Sequence, residues 1–184
     1  FPGNPNQWYN NYFKSLLEVK DFSMAEKITK QQLKADKNRV VFYINLGKIH
    51  RQKEEPKREK ECYEKAIKDL PVLTQYITEL ANAFNEEKMY DYALSVYNKA
   101  RTFPPNYPYY YEKAEVYKMK NDLTSMVNEY LDALEYRESE LLNVESNLQN
   151  SLGYDDENGG IKNPILKNEL LKRIQKDPDK TVFA

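Results

Sequence analysis

His50 and Cys62 are the one histidine and the one cysteine of the chain, and together they are its only candidates for a base and a nucleophile. Thiolate catalysis needs a base within hydrogen-bond reach and a third group that orients the base. The sequence supplies no obvious third member, so a small half-buried hydrophobe is the better account of Cys62. The acidic stretch DDENGG (155 to 160) raises calcium binding. An EF-hand loop needs side-chain ligands at alternate positions, Gly sixth and Glu twelfth. Counted from Asp155, the fifth place is Gly159, which has no side chain to coordinate, so turn chemistry explains the stretch. The densest charge run, RQKEEPKREKEC (51 to 62), mixes both signs. That suits a solvated helix–turn–helix surface better than a phosphate-binding stripe.

The bulk composition points the same way. Of 184 residues, 28 are Lys or Arg and 29 Asp or Glu, for a net charge of −1, which argues against a basic field for nucleic acid or anionic membrane. A single cysteine excludes an internal disulfide framework and a multi-cysteine metal site. No stretch approaches the roughly 18 apolar residues of a membrane-spanning helix. Glycine is scarce, five in all, and no strand-type alternation appears, so the chain reads as helical.

An internal repeat organises these helices. KECYEKAIKDLP (60 to 71) aligns with LSVYNKARTFPP (94 to 105), bringing Tyr63 onto Tyr97, Lys65 onto Lys99, Ala66 onto Ala100 and Pro71 onto Pro105, each 34 apart. The register defines units 6–39, 40–73, 74–106 and 107–140. Trp8, Phe42, Tyr76 and Tyr109 share one place, and Tyr9, Tyr43, Ile77 and Tyr110 the next. Leu46-Gly47 and Leu80-Ala81 give a large-then-small pair, then come Leu16, His50, Phe84 and Tyr117. Constant large places line seams between paired helices, and Gly47, Ala66, Ala81 and Ala100 let helix axes approach. His50 thus falls at an interior place, and Cys62 shares its place with Ile28, Val96 and Glu129.

This pattern of aromatic, Leu-Gly, aromatic, Ala, aromatic, Ala and closing Pro resembles the tetratricopeptide repeat. Units 40–73 and 74–106 match best. Glu59 and Met126 depart from the Ala that opens the second helix, Thr29 from the aromatic and Gln32 from the later Ala. The resemblance implies an all-α, right-handed α–α superhelical solenoid of stacked helix pairs. Residues 141–184 read as a degenerate fifth pair, with helices over 139–152 and 164–176, and the truncated start of a sixth unit.

The resemblance also implies a function: a non-catalytic scaffold that binds a protein or peptide in its concave groove, with no cofactor, no nucleic acid and no membrane insertion. The alternatives are a structural or assembly segment of a larger protein, or an accessory domain of an enzyme whose catalysis lies elsewhere. Groove places come from the first helix of each unit, and the partner-binding residues expected there are Lys14, Val41, Ile44, Lys48, Arg51, Asn82, Asn85, Tyr111 and Lys118. Val41 and Ile44 are apolar at places the core does not need, ringed by Lys14, Lys48 and Arg51, which suits an acidic and apolar segment. One subfamily clamps a terminal carboxylate with Lys and Asn in its first repeat and Lys and Arg in its third. Here Asn10 and Lys14 reverse the first pair, Asn45 matches the Asn of the second repeat, and Gln75 and Glu79 occupy the third pair, where Glu79 would repel a carboxylate, so that ligand is rejected.

In FPPNYPYYYEKAEVYK (103 to 118), Pro104 and Pro105 close one unit and Pro108 opens the next helix. Tyr109, Tyr110 and Tyr117 fall at core places, Tyr111 at a groove place and Tyr107 at the junction. The start at FPGNP favours a processed, exported bacterial protein, with a cytoplasmic location as the alternative.

Overall fold

A computed structural model describes residues 5–153 and 163–178, with side chains from Trp8 onward; the DDENGG stretch and most of the expected sixth unit lie outside them. Among the described residues the chain is all-helical, and its helices follow the repeat. They divide into two compact units, Phe1–Asn106 and Tyr107–Ala184.

The first unit holds α1 (Pro5–Glu18), α2 (Phe22–Ala35), α3 (Phe42–Gln52), α4 (Pro56–Lys68), α5 (Thr74–Glu86) and α6 (Tyr90–Ala100). Neighbours pair as α1 with α2, α3 with α4 and α5 with α6, and α2 packs on α3 and α4 on α6. Small residues lie where the axes approach: Ala25, Ala66, Ala81 and Ala93 are fully buried. The tightest approach is at Gly47, where a Cβ would sit 2.2 Å from a ring carbon of Tyr63. Tyr63 is itself buried and meets Phe84 and Tyr92 edge-on, at centroid distances of 5.7 and 5.3 Å, so one ring ties α4 to α5 and α6.

The turns inside the pairs repeat as strictly as the core. Lys20, Glu54, Lys88 and Asn121 all adopt left-handed backbone, with φ of 59, 60, 58 and 61°. In each case the next N–H reaches back to the carbonyl five residues earlier: Asp21 to Leu16, Glu55 to His50, Met89 to Phe84 and Asp122 to Tyr117, all within 2.8–2.9 Å. These are Schellman-type stops built without glycine. Asp21 and Asp122 then cap the following helices through their side chains.

The second unit holds α7 (Tyr110–Met119), α8 (Leu123–Tyr136), a 3₁₀ turn (Glu138–Glu140), α9 (Leu141–Leu152) and α10 (Pro164–Lys176). Helix α8 is its centre, packing against α7, α9 and α10. Tyr110, Tyr111, Tyr117, Ile165, Leu166 and Leu170 surround a core of Met126, Val127, Tyr130, Leu131, Leu134, Val144 and Leu148. Between α7 and α8 a buried ion pair joins Lys113 to Glu129 at 2.5 Å. Pro164 opens α10 as its position predicts, under a cap in which Asn163 accepts from the N–H groups of Ile165 and Leu166.

Two expectations need correcting. Pro108 does not sit in the first turn of α7, because Tyr109 precedes that helix in left-handed backbone, φ 55°, and breaks the helical run. Burial of the Tyr109 ring, packed edge-on by Tyr107 at 4.8 Å, offsets the strain. Trp8 does not share the burial of Phe42 at its repeat place: Phe42 is 4 % exposed and Trp8 65 %. Helix α2 covers α3, whereas α1 has no such helix over it among the described residues of this unit.

Candidate functional site

The first helices of the first three pairs, α1, α3 and α5, line a cleft of about 520 Å³ in the first unit. Asn10, Phe13, Lys14 and Leu17 of α1 enter it at helical spacing, as do Phe42, Ile44, Asn45 and Lys48 of α3 and Asn82, Ala83 and Glu86 of α5. Arg39 and Val41 contribute from the approach to α3. Its floor is apolar, made by buried Phe13, Phe42 and Ile44 with half-buried Leu17 and Val41. The rim is polar, with carboxamides from all three helices.

One of those amides is fixed from below. Thr29 donates to the Ala25 carbonyl at 2.7 Å and lies 2.9 Å from the Tyr9 hydroxyl, so Tyr9 donates to Thr29 and is free to accept from the Asn45 Nδ2 at 3.0 Å. The chain Asn45–Tyr9–Thr29–Ala25 orients the Asn45 amide and explains Thr29 at a place where the repeat favours an aromatic. Burial pushes the Tyr9 phenol above its ordinary range, so it stays a neutral link in that chain.

The charges are mostly consumed within the unit. Arg39 donates to Glu79 at 2.6 Å and lies over the Phe42 ring at 4.7 Å. Lys48 pairs with Glu87 at 2.5 Å. Arg51 is outside the cleft lining, shared among Glu59 at 2.8 Å, the Tyr63 hydroxyl at 3.0 Å and Glu87 at 3.4 Å. Of the three cations expected around Val41 and Ile44, only Lys14 is exposed in the cleft and bonded to no acid among the described residues.

Of the residues predicted from the repeat, the cleft therefore gathers Lys14, Val41, Ile44, Lys48 and Asn82. Ile44 belongs to the core: it is 2 % exposed, so its place serves packing as well as the cleft floor. Asn85 is half-buried on α5, its Oδ1 turned into the protein. Tyr111 and Lys118 lie in the second unit. Tyr111 donates to Glu140 at 2.9 Å and meets the Tyr130 ring edge-on at 5.8 Å, which makes it a packed residue of that unit. Burial, then the bond to Glu140, pushes its phenol up to about 12. Lys118 is exposed beside Glu115 at 3.9 Å. The pairing of Arg39 with Glu79 in the same cleft was missed; the signal was two opposite charges 40 residues apart, one closing the first unit and the other in the first helix of the third.

The His50–Cys62 pair gains no support. His50 Nδ1 does lie 2.6 Å from a Glu55 carboxylate oxygen, a group able to orient it, but burial pushes the Cys62 thiol above its ordinary range, the reverse of thiolate activation. Among the described residues no cluster of His, Cys, Asp or Glu could hold a metal ion, and no helix is long and apolar enough to cross a membrane.

Comparison with known proteins agrees with the repeat. Residues 40–68, the α3–α4 pair, match the family model of the tetratricopeptide repeat. A search of curated proteins gives no match.

Proposed function

We propose that this tetratricopeptide-repeat chain, in keeping with the scaffolding role its repeat suggests, holds an extended or helical segment of a partner protein in the cleft between α1, α3 and α5. The observation that carries the reading is the cleft's division of labour: an apolar floor, three carboxamides at its edge and one open cation, Lys14. Carboxamides both donate and accept, which suits a peptide backbone. The floor suits an apolar side chain, and Lys14 an acidic one beside it.

A peptide-display selection on the whole chain tests this. Selected peptides should carry an acidic residue near an apolar one, and Lys14→Glu should weaken them at least tenfold while Val41→Asp abolishes binding, with helical circular dichroism unchanged in both. Peptides that bind both variants as tightly as the parent would refute the cleft as the site.

A further inference from the structure

The Asn45 amide has a fixed polarity, and the residue that fixes it lies outside the cleft. A carbonyl can only accept, so the one hydroxyl proton of Thr29 goes to the Ala25 oxygen at 2.7 Å. Thr29 Oγ1 must then accept from Tyr9 at 2.9 Å, which uses the one proton of that phenol. Tyr9 must in turn accept from Asn45 at 3.0 Å, so the amide atom that faces it is Nδ2. The order of protons is set from the carbonyl upward, with no choice at any step. Thr29 is fully buried and Tyr9 is 2 % exposed, and neither lines the cleft, whereas Asn45 does. Asn45 Oδ1 accepts no bond among the described residues, so α3 brings an unused acceptor to the cleft.

We infer that Thr29 is a positioning residue for recognition in the cleft: through Tyr9 it holds Asn45 with its acceptor free, so that the bound segment must offer an N–H or O–H donor there. The role rests on the reading of the cleft as the binding site. It belongs to the Thr29 hydroxyl and not to the bulk of the side chain. Valine at 29 would keep the shape and take away the acceptor beneath Tyr9. Asn45 is the only other side chain bonded to that phenol among the described residues, so the phenol proton turns to Asn45 Oδ1 and the amide turns over. The cleft then meets the ligand with N–H groups at this point and no acceptor. The other units carry Tyr63, Tyr97 and Tyr130 at the place of Thr29. The Tyr63 hydroxyl goes to Arg51 and Glu59, outside the cleft lining, so no equivalent relay runs from that place in the second unit.

Nuclear magnetic resonance of the whole unliganded chain reads the relay, and peptide binding reads its consequence. In the parent, the Asn45 side-chain NH₂ protons should show nuclear Overhauser contacts to the Tyr9 ring. Thr29→Val should cut their intensity by half or more, and Thr29→Ser, which keeps the hydroxyl, should preserve them. The binding probe is the tightest peptide from the display selection, made in versions that each lack one donor, by an ester in place of a main-chain amide or alanine in place of a polar side chain. One version should bind the parent and Thr29→Ser about three- to tenfold more weakly than the intact peptide, the worth of one hydrogen bond. Thr29→Val should bind that version and the intact peptide equally. Packing alone orders the variants the other way, because valine keeps the buried methyl group that serine lacks. Unchanged Asn45 contacts in Thr29→Val, or a donor-lacking peptide weakened equally on the parent and Thr29→Val, would overturn the role of Thr29 with the cleft intact. Selected peptides indifferent to Val41→Asp would overturn the cleft itself, and this role with it, even where the Asn45 contacts respond as expected.

Discussion

Replacing Gly47 by alanine puts the helix packing to a quantitative test, because two opposing effects of known sign meet there. In an exposed helix interior, glycine to alanine gains about 1 kcal/mol from helix propensity. At Gly47 the new Cβ would stand 2.2, 2.7 and 2.9 Å from three carbons of the Tyr63 ring, whereas ordinary contact begins at 3.4 Å. The ring would have to retreat by about 1.2 Å into a close-packed interior. It has nowhere to go: Tyr63 is 2 % exposed, Phe84 and Tyr92 press on it, and its hydroxyl accepts from Arg51 at 3.0 Å and donates to Glu59 at 3.1 Å. Overpacking costs about 1–3 kcal/mol. Disturbing hydrogen bonds to charged groups adds on the order of 1.5–3 kcal/mol.

After the propensity gain is subtracted, Gly47→Ala should destabilise the chain by about 1.5–5 kcal/mol. Urea unfolding followed by circular dichroism reads this as a lower midpoint at unchanged slope, and melting should fall by roughly 3–20 °C. Adding Tyr63→Leu should make Gly47→Ala far less harmful, with a coupling of ~1 kcal/mol or more between the two sites. If Gly47→Ala is neutral or stabilising, helix propensity outweighs packing there and the close approach of α3 to α4 is not what the glycine serves.

The left-handed turns predict the opposite sign: at Glu54, φ 60°, glycine removes a strain of about 1–2 kcal/mol and adds about 0.5–1 kcal/mol of chain entropy cost, so Glu54→Gly should stabilise by up to about 1.5 kcal/mol. The same unfolding assay checks it, and a loss of stability would mean that Glu54 contributes something its backbone does not reveal. In the second unit, Lys113 and Glu129 are 5 and 8 % exposed, so Lys113→Met should cost about 3–5 kcal/mol by taking the cation away from a buried carboxylate. Lys113→Met with Glu129→Leu should recover more than half of that loss; equal damage from the single and double variants would show that volume, not charge, is at stake.

What could be read in the sequence is what the repeat buries on its own account. Tyr63, Ala66, Leu80, Ala81, Phe84 and Ala100 stand at constant places because every unit needs them there, and each is buried. Trp8 escapes the rule because burial at its place depends on a neighbouring helix, a property of the array and not of the residue. The four left-handed turns were hidden for a different reason. Lys20, Glu54, Lys88 and Asn121 are not the glycine that usually marks such a stop, and only the hydrogen bond from the residue that follows each one exposes the pattern.

The cleft was legible in its lining and illegible in its charge. Helical spacing tells which way Lys48 and Arg51 leave α3, but it does not tell that Glu87, beyond the end of α5, takes both. An ion pair between units costs the sequence only two residues of opposite sign at suitable places, and a chain with 28 cations and 29 anions offers many such coincidences. Pairing changes what the cleft can recognise. Three open cations would attract any acidic segment, in a manner strongly weakened by salt. With Lys48 and Arg51 bound to acids, as Arg39 is to Glu79, a ligand that competed for them would have to replace close charge pairs already made. On the proposed reading, discrimination would therefore fall to the geometry of Asn10, Asn45 and Asn82 over the Phe13–Val41–Ile44 floor, with Lys14 setting the direction in which an acidic segment would lie. Binding in the cleft should accordingly lose less than tenfold between 0.05 and 0.5 M salt, about what one exposed charge pair contributes, and a loss of a hundredfold or more would mean that the paired cations open to the ligand after all.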